Sequence, residues 1–291
     1  MLLGLETAFG EITLVLFTTL APSGAIACAV MASVLIFARV SAAERTRINR
    51  ALCIPLVVAM VGLVASATHL GSPANALYVF FGVGRSPLSN EVFAAVLFLA
   101  ACGLYWLFCF TEKQYVRAQK AWCAAIVASS LACVGAIALA YDAPTIATWH
   151  TPHVPLNVWL SAFAGGPLLG MFALRVARAA CLHGRPGRAL LAVSALALAA
   201  NLVCLVLQNE SLASIWNGYG TAAELVPMYP VLIAAYAAAG VSALAGCAWA
   251  VRSGGVPSAR RLGICCLVFF AGLFAVRFGF YMMHMTYGLG V

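Results

Sequence analysis

Residues 12–50 read ITLVLFTTLAPSGAIACAVMASVLIFARVSAAERTRINR. From Ile12 to Ala38 no side chain is charged, and then Arg39, Arg45, Arg47 and Arg50 follow within 12 residues. A bilayer hydrocarbon core of about 30 Å takes about 20 apolar residues at 1.5 Å rise per residue. The first part is therefore long enough to cross, and the arginines mark the surface at which the crossing ends. Inside lipid a lone segment must satisfy its own backbone N–H and C=O groups, so the crossing is a helix.

The pattern repeats along the chain. Eight segments qualify, at about 12–38, 52–70, 89–110, 121–141, 156–178, 189–208, 228–251 and 262–284 by the same length rule. Composition agrees: 64% of the 291 residues are hydrophobic and 8% are charged, where a soluble domain carries about a quarter. Mean hydropathy is +1.02. A membrane barrel would show alternating runs of about ten residues, and these runs are unbroken. The fold class expected is an all-α integral membrane protein, a bundle of eight transmembrane helices, with residues 1–291 as one domain.

The basic residues give the orientation. Alternate loops carry Arg39, Arg45, Arg47 and Arg50; Lys113, Arg117 and Lys120; Arg175, Arg178, Arg185 and Arg188; and Arg252, Arg260 and Arg261. That places 14 of the 16 Lys and Arg on one side, leaving Arg85 and Arg277, while Glu6, Asp142, Glu210 and Glu224 lie on the other. The positive-inside rule puts both termini outside. The net charge of +8 thus sets topology, and no nucleic acid partner is expected. The start, MLLGLETAFGEI, has no basic residue before Glu6 and Glu11, so the first span is expected to be retained and not cleaved as a signal. The outer loops, DAPTIATWHTPHVP at 142–155 and NESLASIWNGYGTAAELVP at 209–227, offer the surface suited to a docked subunit. Eleven cysteines form no C-x-x-C pair and lie mostly in the spans, as small packing residues do. No metal site is expected in this chain.

Ionisable side chains near the membrane are expensive unless they face the bundle interior or water. His69 ends the second span and Glu91 opens the third, joined by a loop broken by Gly71, Pro73, Gly82, Gly84 and Pro87, with Ser89 as a candidate cap. Singly, His69 reads equally as an interfacial anchor and Glu91 as a first-turn acid favoured by the helix dipole. Together at one surface they point to chemistry. In the last span Arg277, Tyr281 and His284 form one helical stripe, with Glu91 the nearest candidate partner for Arg277; an ion pair between spans is the alternative reading. His150 and His153 read as surface or partner contacts, His183 as part of the basic loop, and Asn157 as a polar wall. A His and a carboxylate beside lipid suit a quinol, which needs an apolar slot, hydrogen-bond partners and a proton acceptor. Haem is not expected, because its axial histidines belong within the spans and these lie at ends and loops.

Five blocks then occur in order: HLGSP (69–73), LSNE (88–91), GGPLLG (165–170), AAELVP (222–227) and FYMMHMTYG (280–288). With them the chain resembles, over essentially its full length, the DmsC family of dimethyl sulfoxide reductase membrane anchor subunits. The resemblance implies an anchor in the bacterial inner membrane that oxidises menaquinol and itself carries neither haem nor metal. It implies partners docked on the periplasmic face: a four-cluster iron–sulfur subunit of ferredoxin type and a molybdopterin catalytic subunit. The matching His69 and Glu91 take the catalytic roles, with Gly71 in the same motif. Members often carry an arginine two residues after the proline of HLGSP, where this chain has Asn75, and Arg85 is the candidate to supply that charge. The quinol-binding set expected is therefore His69, Gly71, Asn75, Arg85, Glu91, Arg277, Tyr281 and His284. The rival readings are a proton channel or transporter, which predicts repeats and midplane charges, and a structural anchor without a quinol site.

Overall fold

A computed structural model describes residues 2–69, 73–111, 115–253 and 257–286. A short helix α1 (Leu2–Gly10) precedes α2 (Ile12–Phe37), the first helix long and apolar enough to cross a membrane. Next come α3 (Ala42–Ala51), α4 (Cys53–Thr68), a 3-10 helix (Pro73–Gly82), α5 (Pro87–Phe108), α6 (Val116–Ala140), α7 (His153–Val176) and α8 (Arg185–Ser211). A single turn α9 (Ala222–Leu225), α10 (Tyr229–Ser253) and α11 (Pro257–Met282) complete the fold. Eight candidate membrane-spanning helices result, α3 and α4 together making one of them, and the described residues form no strand beyond two isolated bridges.

Two boundaries differ from the sequence expectation. The arginine-rich segment after the first span is helix α3, not a loop. Ser41 caps it, its Oγ accepting the Glu44 N–H at 3.2 Å, and two of its three arginines reach back to the bundle. Arg45 donates to the Leu35 carbonyl at 3.0 Å and Arg47 to that of Ala177 at 3.0 Å, while Glu44 accepts the Ala180 N–H at 2.7 Å. At α5, Pro87 takes the first helical turn, where its missing N–H costs nothing, so Ser89 lies inside the helix, buried, and caps nothing.

The bundle is organised around α2 and α7, each 72% buried over its most apolar stretch where most other spans are about a third buried. A helix apolar on every side belongs in the middle of its neighbours. The α2 helix packs on α4, α6 and α7, α8 packs on α7, and the α10–α11 pair closes the structure through α11 against α7 and α2. Small residues permit these approaches. A Cβ on Gly24 would lie 2.6 Å from the Ala59 nitrogen, and one on Gly62 2.8 Å from that of Ala21, so α2 and α4 meet backbone to backbone. Pro22 and Pro167 continue inside α2 and α7. At the end opposite the basic loops, this packing gathers Glu11, His69, Glu91, the 141–153 loop and the residues after α11.

Candidate functional site

The α2–α4 seam brings together the start of one helix and the end of the other. Glu11 precedes α2 and His69 follows α4, and their Oε2 and Nε2 atoms lie 3.1 Å apart at an orientation outside hydrogen-bond geometry. Both side chains are partly exposed, 42% for His69 and 31% for Glu11, so the pair sits at a boundary between protein and surroundings. The carboxylate beside His69 is thus Glu11 and not Glu91. Gly71 lies outside the described residues, as does the Asn75 side chain, although the Asn75 backbone belongs to the 3-10 helix.

Glu91 faces inward from the first turns of α5 and is 6% exposed. Its electrostatic neighbours are Cys133, Tyr141 and Tyr281, and it makes no ion pair among the described residues. Arg85 is exposed on the turn that follows the 3-10 helix, a turn fixed by Gly84 at φ +83° donating its N–H to Asn90 Oδ1 at 2.7 Å.

The stripe on α11 divides. Arg277 is buried, and its NH2 group donates to the Asn157 carbonyl at 3.1 Å and to Ser161 Oγ at 2.7 Å, not to Glu91. Around it Asn157, Asn201, Gln208, Tyr229 and Tyr236 interlock by hydrogen bonds of 2.7–3.4 Å, so the polar wall expected of Asn157 is the centre of a buried network spanning four helices. The reason is packing: α11 lies against α7, which presents a carbonyl and a hydroxyl to the guanidinium, whereas α5, which carries Glu91, packs mainly on α6. Tyr281 turns the other way. Its hydroxyl lies 2.7 Å from that of Tyr141 and 3.2 Å from the Leu14 carbonyl.

Beyond α11 the backbone folds over the 142–152 loop. The Ala147 N–H donates to the Met285 carbonyl at 2.9 Å and the Thr148 hydroxyl to that of Met283 at 2.7 Å. This clasp stacks Trp149 on Phe280, with ring centroids 4.9 Å apart, and sets it edge-on to Tyr281 and His284. Trp149 is 9% exposed and its indole N–H has no partner among the described residues, a costly condition for a buried donor. Glu11 also acts electrostatically on His284. The assembled site therefore runs from His69 through Glu11 to His284 and Trp149, with Tyr281, Tyr141 and Glu91 behind.

Glu11, Tyr141 and Trp149 escaped the sequence reading. Each is far in sequence from HLGSP and LSNE, and the one available signal was that Glu11, the second of two acids near the start, stands directly ahead of the first span. Of the other histidines, His150 pairs with Asp142 at 2.8 Å on the surface as expected, and His183 accepts from Arg175 at 2.6 Å at the basic end.

Burial holds His284 below its ordinary 6.5, partly offset by the Glu11 carboxylate. A group whose folded value is lowered contributes stability that is present above its unfolded value and lost as pH falls through the folded one. Thermal unfolding at about pH 7.5 and about pH 5.5 should show a loss at the lower pH that His284→Gln reduces; an unchanged pH dependence would place the titration elsewhere.

The DMSO reductase anchor subunit (DmsC) family model matches residues 5–289. The protein is 33% identical over 234 residues to the C subunit of the anaerobic dimethyl sulfoxide reductase of Escherichia coli (strain K12), an alignment covering 79% of this protein and 80% of that one. It is 34% identical over 222 residues to the anaerobic dimethyl sulfoxide reductase subunit YnfH of the same organism, 76% of each. With the C subunit of the Haemophilus influenzae anaerobic dimethyl sulfoxide reductase it shares 28% over 290 residues, 99% of both.

Proposed function

We propose, from the premise that this chain belongs to the DMSO reductase anchor subunit (DmsC) family, that it oxidises menaquinol at the end of the bundle that carries Glu11 and His69. It is a multi-pass membrane protein and an anchor subunit by family. On this proposal its acidic end faces the periplasm across the inner membrane, as the Lys/Arg asymmetry favours. An iron–sulfur subunit and a molybdopterin catalytic subunit dock there, over a face where Trp216 and Tyr219 are 63% and 83% exposed. The observation that carries the proposal is the His69–Glu11 pair at 3.1 Å, held at the rim beside an aromatic cluster whose indole donor has no partner among the described residues.

Oxidation of a quinol releases two electrons and two protons. His69 accepts the first proton from a quinol hydroxyl, and Glu11 steadies the imidazolium that forms and passes the proton to water outside. Glu91, sunk among Tyr141, Tyr281 and Cys133, takes the second proton and relays it outward once the ring is oxidised, and the Trp149 N–H is a donor for a ring oxygen. The electrons pass singly to the nearest cluster of the docked subunit. Protons and electrons leave on the same side, so turnover builds little membrane potential.

Fluorescence quenching of a quinol analogue on the full complex tests the site. Saturable binding is expected, with loss on His69→Arg; binding indifferent to His69 would overturn it. Glu11→Gln should keep binding and lower quinol-dependent turnover by about tenfold, the low end of what a proton-transfer partner supplies, with the acid limb of the pH–rate profile displaced. Turnover and profile both unchanged would remove Glu11 from the proton path.

A further inference from the structure

An apolar cavity lies away from this site. A groove of about 540 Å³ runs between α2, α6, α7 and α8, from Ile26 and Phe163 near the middle of the bundle to Phe37 and Pro186 at the basic end. From Ile26 to Phe37 α2 rises about 16 Å at 1.5 Å per residue, roughly the depth of one leaflet of a 30 Å core. The groove opens to the outside of the bundle, since Phe37, Val193 and Leu131 on its walls are 83%, 43% and 38% exposed. Its one polar side chain is Ser33.

Its chemistry excludes a quinol head, which needs donors and acceptors for two oxygens; every acid and histidine of the quinol site lies at the other end. The mouth supplies a charge instead. Arg39 follows the lining residue Ala38, and Arg185 and Arg188 flank the lining residues Pro186 and Ala189. All three are exposed, and none forms an ion pair among the described residues. The nearest acid in sequence, Glu44, is buried and accepts the Ala180 N–H. Basic clusters beside clefts between membrane helices recognise anionic headgroups.

We propose that this groove holds an acyl chain of an anionic glycerophospholipid from the leaflet at the basic end, its phosphate lying over Arg39, Arg185 and Arg188. The lipid completes the packing of α2 against α8, which the protein leaves unfilled. This assignment is independent of the quinol reading, because it involves no residue of that site.

The test uses the full-length protein in nanodiscs, with Ser33→Trp as a reporter inside the groove and acyl-brominated phosphatidylglycerol or phosphatidylcholine as quencher. Saturable quenching at lower mole fraction of the phosphatidylglycerol is expected. The exposed triple variant Arg39→Gln/Arg185→Gln/Arg188→Gln should erase that preference, by about fivefold for each arginine. Native mass spectrometry of the unaltered protein supplies a second measurement, in which phosphatidylglycerol should be retained over phosphatidylcholine of the same acyl composition. Equal quenching and retention of both lipids, a preference that survives the triple substitution, or an isoprenoid quinone displacing the quencher from the groove would each overturn the proposal.

Discussion

The expected result of His69→Arg is a complex that assembles normally and loses quinol oxidation by about a hundred- to ten-thousandfold, the range that a positioned proton acceptor supplies. The substitution is chosen because Glu11 lies 3.1 Å from His69 Nε2. An arginine offers Glu11 a hydrogen-bonding partner of similar reach, yet its guanidinium stays protonated and accepts no proton from the substrate. Activity driven by an artificial reductant that feeds the catalytic subunit directly should be unchanged, which isolates the defect to the quinol step. His69→Gln should lose turnover by a similar factor, since it too lacks a titratable nitrogen, while keeping the volume. If quinol-driven turnover survives in both variants, the proton acceptor lies elsewhere and the assignment of this end of the bundle fails.

The second large effect is expected far from any titratable group. Gly24→Val places a side chain where even a Cβ would lie 2.6 Å from the Ala59 nitrogen, a backbone atom that cannot move alone. Overpacking of this kind costs about 1–3 kcal/mol, and here it must spread α2 from α4. Because Glu11 and His69 are the ends of those two helices, the same displacement should open the site and lower quinol affinity as well as thermal stability. Gly103→Ala is the matched control. A Cβ there meets nothing within 4 Å, and removing a mid-helix glycine should stabilise by up to about 1 kcal/mol. Wild-type melting and quinol binding in Gly24→Val would show that the seam does not set the site.

Much of the fold was legible because lipid leaves a polypeptide few options. The run from Ile12 to Ala38 had to be a helix, and the later spans fall close to their sequence positions, except that the second begins ten residues early because α3 leads into α4. The site was legible only in part. His69 and Glu91 stood out by their cost near a membrane, and both lie at the same end of the bundle. Their pairing was not legible. HLGSP and LSNE are neighbours in sequence, but α5 turns Glu91 inward toward α6 while His69 stays at the rim of α4, and the acid that reaches it comes from ahead of α2. Arg277 illustrates the same limit: a buried guanidinium demands acceptors, and two neutral ones on α7, the Asn157 carbonyl and the Ser161 hydroxyl, take the place that a carboxylate was expected to fill.

By itself, then, the sequence determined the number of crossings, the end at which the basic residues collect, and the residue types available for proton transfer, because hydropathy and charge act locally along the chain. Tertiary structure alone decided that Glu11 faces His69, that Trp149 and His284 close over Tyr281, and that an apolar groove opens between α2 and α8. Those are contacts between helices, and they depend on which small residues let two backbones approach, a property of two distant segments at once.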